Sequence, residues 1–414
     1  MSNHVLREYD TVIRGSISGW FGARFTLEGG AFDALAALIE RDLPKDSSEN
    51  LSAVASFTRV SGQPALKFQQ WVGLIRLPDG TTLEILPKTH GRSDDSAACR
   101  ALLMRMLSAT DERFKVAPAA DLDPARMPLF EVFLAYALHG FRAAIRRGVP
   151  HAYVAVREER AGLRGRLDMT RQMRQLPSRA HRLHVTYDEY LPDRPETRLV
   201  RSSLERIAKL SNQPTLKRSA RETLLALDGV PSSADIKADF SAWRLERGHA
   251  HFAPLGALCR LVLLELNPVV GGATVRALSV LFDMNRLFES YVARLLERDH
   301  PDWLIRTQVK ERSLGVAAGR PVFTLKPDLL IQLPNGEVIV ADTKWKRLDA
   351  AKQPHYGVAQ ADVYQMLAYS HKYQSGQPSP RLWLLYPRLP NLPEPLPIIA
   401  LPEGRSLEIC QVEL

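Results

Sequence analysis

The chain has 414 residues, 45% of them hydrophobic, 24% charged and 7% aromatic, enough for two or three domains with buried cores. No apolar run reaches the roughly 18 residues a membrane-crossing helix needs, and the start MSNHVLREYD carries no apolar signal region, so a soluble cytoplasmic protein is expected. Cys99, Cys259 and Cys410 lie far apart with no C-x-x-C pair, which excludes a disulfide framework and a zinc site.

Residues 1–95 read as an N-terminal β-rich domain. Residues 11–17, 53–60, 68–77 and 81–86 are short runs rich in β-branched and aromatic side chains, with a helix at 31–41. Pro78-Asp79-Gly80 turns the third run into the fourth, and the polar stretch 89–96 marks a boundary. Residues 96–275 read as a central, mainly helical region, with apolar residues at helical spacing through 98–107, 129–145, 197–210 and 255–266. Within it, VREERAGLRGRLD, with Gly162 and Gly165, predicts a tight strand-turn-strand. Between Phe141 and Arg221 stand 19 Lys/Arg against 8 Asp/Glu, in a chain whose net charge is +9. So concentrated a charge suits a polyanion; an ordinary solvated helical face is the alternative. His249 and His251 have no partner cluster and read as loop histidines. The stretch NPVVGGAT at 267–274 is a second boundary loop.

Residues 276–414 have a legible order. An amphipathic helix is predicted at 281–297, with Met284, Leu287, Phe288, Tyr291, Val292 and Leu295 as its apolar stripe. A strand follows at 304–313, then a hairpin from Phe323 to Trp345, a helix at 358–372 and the strand RLWLLYP ending at Pro387. The order is helix, three strands, helix, strand. The fold class expected is a multidomain α+β or α/β chain whose C-terminal core is a mixed sheet flanked by helices.

The Asp342-Thr343-Lys344 triplet needs context, because Asp235-Ile236-Lys237 has the same spacing in a polar stretch. The hairpin supplies that context. Pro334-Asn335-Gly336 fits a three-residue loop, a type I turn ending in a left-handed glycine; a two-residue turn at Asn335-Gly336 competes. The choices differ by one step in register, which moves side chains to the other face. The three-residue loop pairs Leu333 with Glu337 and sets Asp328 opposite Asp342, with Cβ atoms about 5 Å apart. Lys344 shares that face. Adjacent carboxylates repel unless a cation neutralises them, and hard oxygen donors suit Mg²⁺ or Mn²⁺. Both strand faces are otherwise apolar, as in a central sheet covered on both sides. Glu289, beside the apolar stripe, is within reach of such a metal. Gln365 and Tyr369 share a helix face with Asp362, a pattern that ordinary helix packing also produces.

A helical Glu, KPDLLI at 326–331 and VADTKWK at 340–346 resemble the PD-(D/E)xK nuclease superfamily. With MNRLFESYV at 284–292 and DVYQMLAY at 362–369, the chain more closely resembles the McrC family, the nuclease subunits of McrBC-type methylation-dependent restriction systems. LEILPKT at 83–89, LRGRLD at 163–168 and YDEYLPDRPETRLV at 187–200 are also similar to that family. The resemblance implies Asp328, Asp342, Glu289 and the Thr343 carbonyl as metal ligands. It implies Lys344 as the residue that activates water and stabilises phosphate charge, with Gln365, Tyr369, Asp362 and Lys346 in support. It further implies Mg²⁺-assisted cleavage of methylated double-stranded DNA, and a hexameric McrB-like AAA+ GTPase ring on which the N-terminal domain docks and which it stimulates. The chain has no G-x-x-x-x-G-K-[ST] loop, so nucleotide chemistry belongs to that partner. A stand-alone repair nuclease or resolvase, or a non-catalytic ring activator, are the competing readings. Whether the basic 141–221 segment meets DNA or the ring stays open.

Overall fold

The structure is a computed structural model that describes residues 2–22, 24–41, 54–88, 96–114, 127–245, 247–266, 278–389 and 392–414. The boundary expected at 89–96, apart from Ser96, and the loop at 267–274 lie outside these residues. The described residues divide into two compact units, the first taken from Met1–Lys115, Ala119–Leu129 and Gly271–Leu414, the second from Phe130–Val270. Among the described residues no helix is long and apolar enough to cross a membrane.

The first unit unites regions expected to be separate domains, and strand pairing is the reason. Leu278–Asp283 runs antiparallel to Trp71–Arg76. It completes a four-stranded sheet in the order Asn3–Arg7, Thr82–Leu86, Trp71–Arg76, Leu278–Asp283. Gly73, at φ +132°, permits the pairing: a Cβ there would stand 2.1 Å from the Val280 carbonyl oxygen. Residues 281–283, expected to begin a helix, are therefore strand. The helix is Met284–Asp299, started by Asp283, whose carboxylate accepts the Asn285 N–H at 2.9 Å. The expected helix at 31–41 forms as Gly29–Arg41 beside a five-stranded sheet. That sheet includes Gly19–Phe21, Arg24–Glu28 and Gln63–Phe68, strands the sequence did not reveal.

The second sheet of this unit has six strands in the order Leu304–Thr307, Leu329–Gln332, Val338–Thr343, Arg381–Pro387, Ser406–Val412, Ile399–Ala400. The first three pair antiparallel. Arg381–Pro387 lies parallel to Val338–Thr343 after a crossover through the helix Gln360–Tyr373, as parallel neighbours require. Leu329, Ile331, Ile339, Val340 and Ala341 are fully buried, as expected of strands covered on both faces. The strand expected at 304–313 is in fact two. Leu304–Thr307 stays in the sheet, whereas Arg312–Ala317 pairs with Arg320–Leu325 as a separate ribbon; Gln308, at φ +53°, lies between them.

The second unit is mainly helical, with Pro195–Leu210, Pro214–Leu225, Ile236–Ala242 and Leu255–Arg260. It also holds a three-stranded antiparallel sheet in the order Arg166–Leu167, Leu183–Leu191, Ala152–Arg160. The strands expected on either side of Gly162 and Gly165 form, as Ala152–Arg160 and Arg166–Leu167, but they do not pair with each other. Ala152–Arg160 pairs along its length with Leu183–Leu191, a partner some thirty residues away that no local turn signal announces.

Candidate functional site

The hairpin that carries the candidate site has the longer loop. Leu333 N–H donates to the Glu337 carbonyl and Gly336 N–H to the Leu333 carbonyl, both at 2.9 Å. Gly336 is left-handed at φ +85°, as the third position of that loop demands. The register runs from Gln332 opposite Val338 to Leu329 opposite Ala341, so Asp328 falls opposite Asp342.

Both carboxylates line one cleft of about 770 Å³ with Glu289, Thr343, Lys344, Lys346, Gln365 and Tyr369. The cleft thus gathers every expected site residue except Asp362, which reaches it through the lysines. Asp342 is 2% exposed, and its Oδ2 lies 2.6 Å from Lys344 Nζ. Apart from that ion pair the buried Oδ2 has no hydrogen-bond partner among the described residues. Asp328 is better satisfied. Its Oδ2 accepts the Thr343 N–H at 2.8 Å and the Thr343 hydroxyl at 2.7 Å.

Lys344 Nζ also donates to Gln365 Oε1 at 3.1 Å and lies 3.5 Å from Asp362 Oδ1. Gln365 donates in turn to Tyr369 Oη at 2.7 Å, and Tyr369 Oη donates to the Lys326 carbonyl at 3.0 Å. Lys346 Nζ pairs with Asp362 Oδ2 at 3.0 Å. Residues 362, 365, 366 and 369 share one helix face: Met366 packs into the core while the polar members hold the lysines.

Burial sets the electrostatics. It raises the Asp342 carboxyl to about 6, with Asp328 adding to the rise and Lys344 opposing it. It raises Glu289 to about 7, again with a contribution from Asp328. Asp328 also rises through burial, restrained by its two Thr343 hydrogen bonds. Burial works against the Lys344 ammonium, but Asp342, Asp362 and Asp328 outweigh it and its pKa rises. The pocket is a cluster of carboxylates that its lysines only partly neutralise.

Sequence reasoning missed several neighbours. Gln308 donates its side-chain amide to Glu289 Oε1 and its backbone N–H to the Asp328 carbonyl, the latter at 3.0 Å. Nothing local marks it, because its role depends on the strand break at 308. Lys326, Arg286 and Asp283 also line the cleft; Asp283 was findable as a helix-capping residue before Met284. The repeated triplet proves structural: Asp235 caps the helix Ile236–Ala242, accepting the Lys237 and Ala238 N–H groups at 2.9 and 3.0 Å. His251 Nε2 lies 2.9 Å from the Gly148 carbonyl oxygen. Among the described residues no group of three or more His, Cys, Asp or Glu is arranged to hold a metal ion.

No curated protein matches the chain by sequence. Among solved structures, it is similar to a chain of the refined half-complex from a tetradecameric assembly of Thermococcus gammatolerans McrB AAA+ hexamers with bound McrC. The TM-score is 0.72 at 21% identity, covering 100% of this chain and 95% of that one. A chain of the cryo-EM structure of the Thermococcus gammatolerans McrBC complex gives a TM-score of 0.51 at 23% identity, covering 76% of this chain and 90% of that one. At these identities the likeness is one of fold. A sequence profile described as McrBC 5-methylcytosine restriction system component matches residues 66–387, most of the length. The chain therefore belongs to the McrBC family of 5-methylcytosine restriction system components.

Proposed function

We propose that this chain is the McrC-type, DNA-cleaving subunit of its restriction system, with residues 276–414 forming a PD-(D/E)xK nuclease core. The observation that carries the reading is Asp328 facing Asp342 across a buried hairpin, with Lys344 Nζ 2.6 Å from Asp342.

The residues present fit a divalent cation. Asp342 Oδ2 is buried with the Lys344 ammonium against it and no further partner among the described residues, and both carboxylates are raised by burial. Two hard carboxylates with room for water suit Mg²⁺, or Mn²⁺, which keep several waters rather than needing a full protein cage. Asp328 and Asp342 would hold the ion, joined by the Thr343 carbonyl, with Glu289 assisting from its helix. When bound, the ion supplies Lewis-acid polarisation of the phosphate and a more acidic water.

The chain's own groups do the positioning. The Lys344 ammonium, kept charged by Asp342 and Asp362, donates to a phosphate oxygen as charge builds and orients the attacking water. Gln365 holds that ammonium from the helix side and is itself held by Tyr369. Asp362 draws Lys346 to the cleft rim, where it can meet the DNA backbone. The products are a 5′-phosphoryl or 3′-phosphoryl end and a free hydroxyl, formed by in-line attack of water.

A McrB-like hexameric AAA+ GTPase ring is the proposed partner, with methylated double-stranded DNA as substrate. Support comes from the family profile and from fold likeness to an assembly of McrC on McrB AAA+ hexamers. Stimulation of that ring's nucleotide hydrolysis belongs to the same proposal. The test is cleavage of methylated DNA with Mg²⁺, GTP and the ring protein. Efficient cutting of unmodified DNA by the isolated chain would sink the restriction-subunit reading and favour a stand-alone nuclease.

A further inference from the structure

The segment that carries the two cleft lysines has left the sheet. Strand Val338–Thr343 ends at Thr343; Lys344 N–H makes one more bond, to the Leu385 carbonyl at 2.8 Å, and Lys346 N–H folds back onto the Lys344 carbonyl at 2.8 Å. Between the lysines stands Trp345, 8% exposed. Its ring packs against Phe288 with centroids 5.2 Å apart, on the same helix that carries Glu289. Its indole N–H points at Glu8, 3.0 Å from Oε1 and 3.1 Å from Oε2.

Glu8 comes from the opposite end of the sequence. It follows strand Asn3–Arg7, where its N–H donates to the Leu86 carbonyl at 3.2 Å, and its Oε1 also accepts the Lys88 N–H at 2.9 Å. The side chain is 0% exposed. Burying a carboxylate so completely is costly, and burial does push its pKa up to about 7. The carboxylate spans both: the end of one sheet's strand pair and the indole between two cleft lysines.

We propose that Glu8 is a positioning residue for the cleft. Through the Trp345 indole it fixes the backbone that presents Lys344 and Lys346, tying the N-terminal strand pair Asn3–Arg7/Thr82–Leu86 to the reacting groups. It touches no substrate. The inference rests on the nuclease reading above, because the quantity that Glu8 protects is the placement of Lys344 against a phosphate. A displacement of about 1 Å at such a group is enough to slow catalysis strongly without abolishing binding.

The test compares Glu8→Ala, Glu8→Gln, Trp345→Phe and the double variant Glu8→Ala/Trp345→Phe, each as the full chain with its ring partner. Glu8→Ala and Trp345→Phe should each lower kcat for methylated-DNA cleavage about 10- to 100-fold while KM for DNA stays within about two-fold. Glu8→Gln, which keeps an acceptor for the indole, should recover most of the rate. The double variant should lose no more than the worse single, since both break one link. The Trp345 indole N–H resonance in a nitrogen-15 correlation spectrum, assigned by its loss in Trp345→Phe, should move upfield in Glu8→Ala and much less in Glu8→Gln. Should Glu8→Ala not fold, Trp345→Phe with the spectrum of Glu8→Gln carries the test. Wild-type kcat in a folded Glu8→Ala or Trp345→Phe protein overturns the proposal and leaves the nuclease reading standing. Equal cleavage by wild type and Asp342→Ala instead overturns both.

Discussion

Two charged regions of the chain handle their charge in opposite ways. In the cleft, Asp328, Asp342 and Glu289 stand together, and burial raises their pKa values more than Lys344 and Lys326 lower them. In and around the three-stranded sheet of the second unit, arginines stand in water and pair loosely with half-buried acids. Arg164 meets Glu189 at 3.2 Å with side chains 48% and 35% exposed, and Arg179 meets Glu159 at 3.7 Å. Arg157, Arg166 and Arg174 are exposed and have no acidic partner among the described residues. Surface pairs of this kind contribute little to stability and are screened by salt. Charge count and burial therefore single out different regions. The cleft is marked by unresolved conflict among few buried groups, the sheet by abundance without conflict.

The largest break in that contrast should come from Lys344→Ala. Removing the ammonium should lower cleavage by about 100- to 1000-fold while the chain still folds, as checked by single-turnover rates and circular dichroism.

Stability against pH separates the regions next. Glu289 and Asp342 have folded pKa values raised to about 7 and about 6. Raised carboxyls stabilise the fold most below their unfolded values, and that contribution is lost as pH climbs through the folded values. Metal-free protein should therefore lose stability between about pH 4 and pH 7. Asp342→Asn should remove part of this loss and be more stable than wild type at pH 8, by on the order of 1–3 kcal/mol, as read by denaturant unfolding in a chelator. Mg²⁺ should raise the wild-type midpoint more at pH 8 than at pH 5.5, because the ion binds the ionised pair. The same ion should leave Asp342→Asn nearly unmoved.

Smaller still is the effect at the repeated triplet. Asp235→Ala should cost about 1 kcal/mol through loss of a helix cap and leave cleavage at the wild-type rate, although Asp235-x-Lys237 matches Asp342-x-Lys344 in spacing. Last, replacing Arg157, Arg166 and Arg174 by Ser should leave the unfolding free energy within about 0.5 kcal/mol per site of wild type. A larger loss there would mean that the sheet's charges are structural after all.

How much of this was legible depends on the range of the information. The Pro334-Asn335-Gly336 loop fixed its own register through proline and a left-handed glycine, so Asp328 opposite Asp342 could be read from adjacent residues. The hydrophobic stripe of Met284–Asp299 and the spacing of Gln365 and Tyr369 were legible for the same reason. Glu8 and Gln308 were not. Glu8 meets Trp345 across 337 positions of sequence, and its neighbours give only a strand ending. Gln308 matters because the strand breaks there, and a residue at positive φ that is not glycine leaves no signature. The join of the two ends of the chain was hidden likewise: Leu278–Asp283 reads as the approach to a helix until Trp71–Arg76 offers it a partner. Gly73, where the two backbones approach closely, carried no such reading in the sequence.

The most direct measurement is the cleavage rate of wild type beside Asp342→Ala, with methylated duplex DNA, Mg²⁺, GTP and the ring protein. Wild type should cut, and Asp342→Ala should bind the ring and DNA normally but leave the duplex intact. Cutting by Asp342→Ala at the wild-type rate would contradict the assignment of the facing carboxylates as the nuclease site.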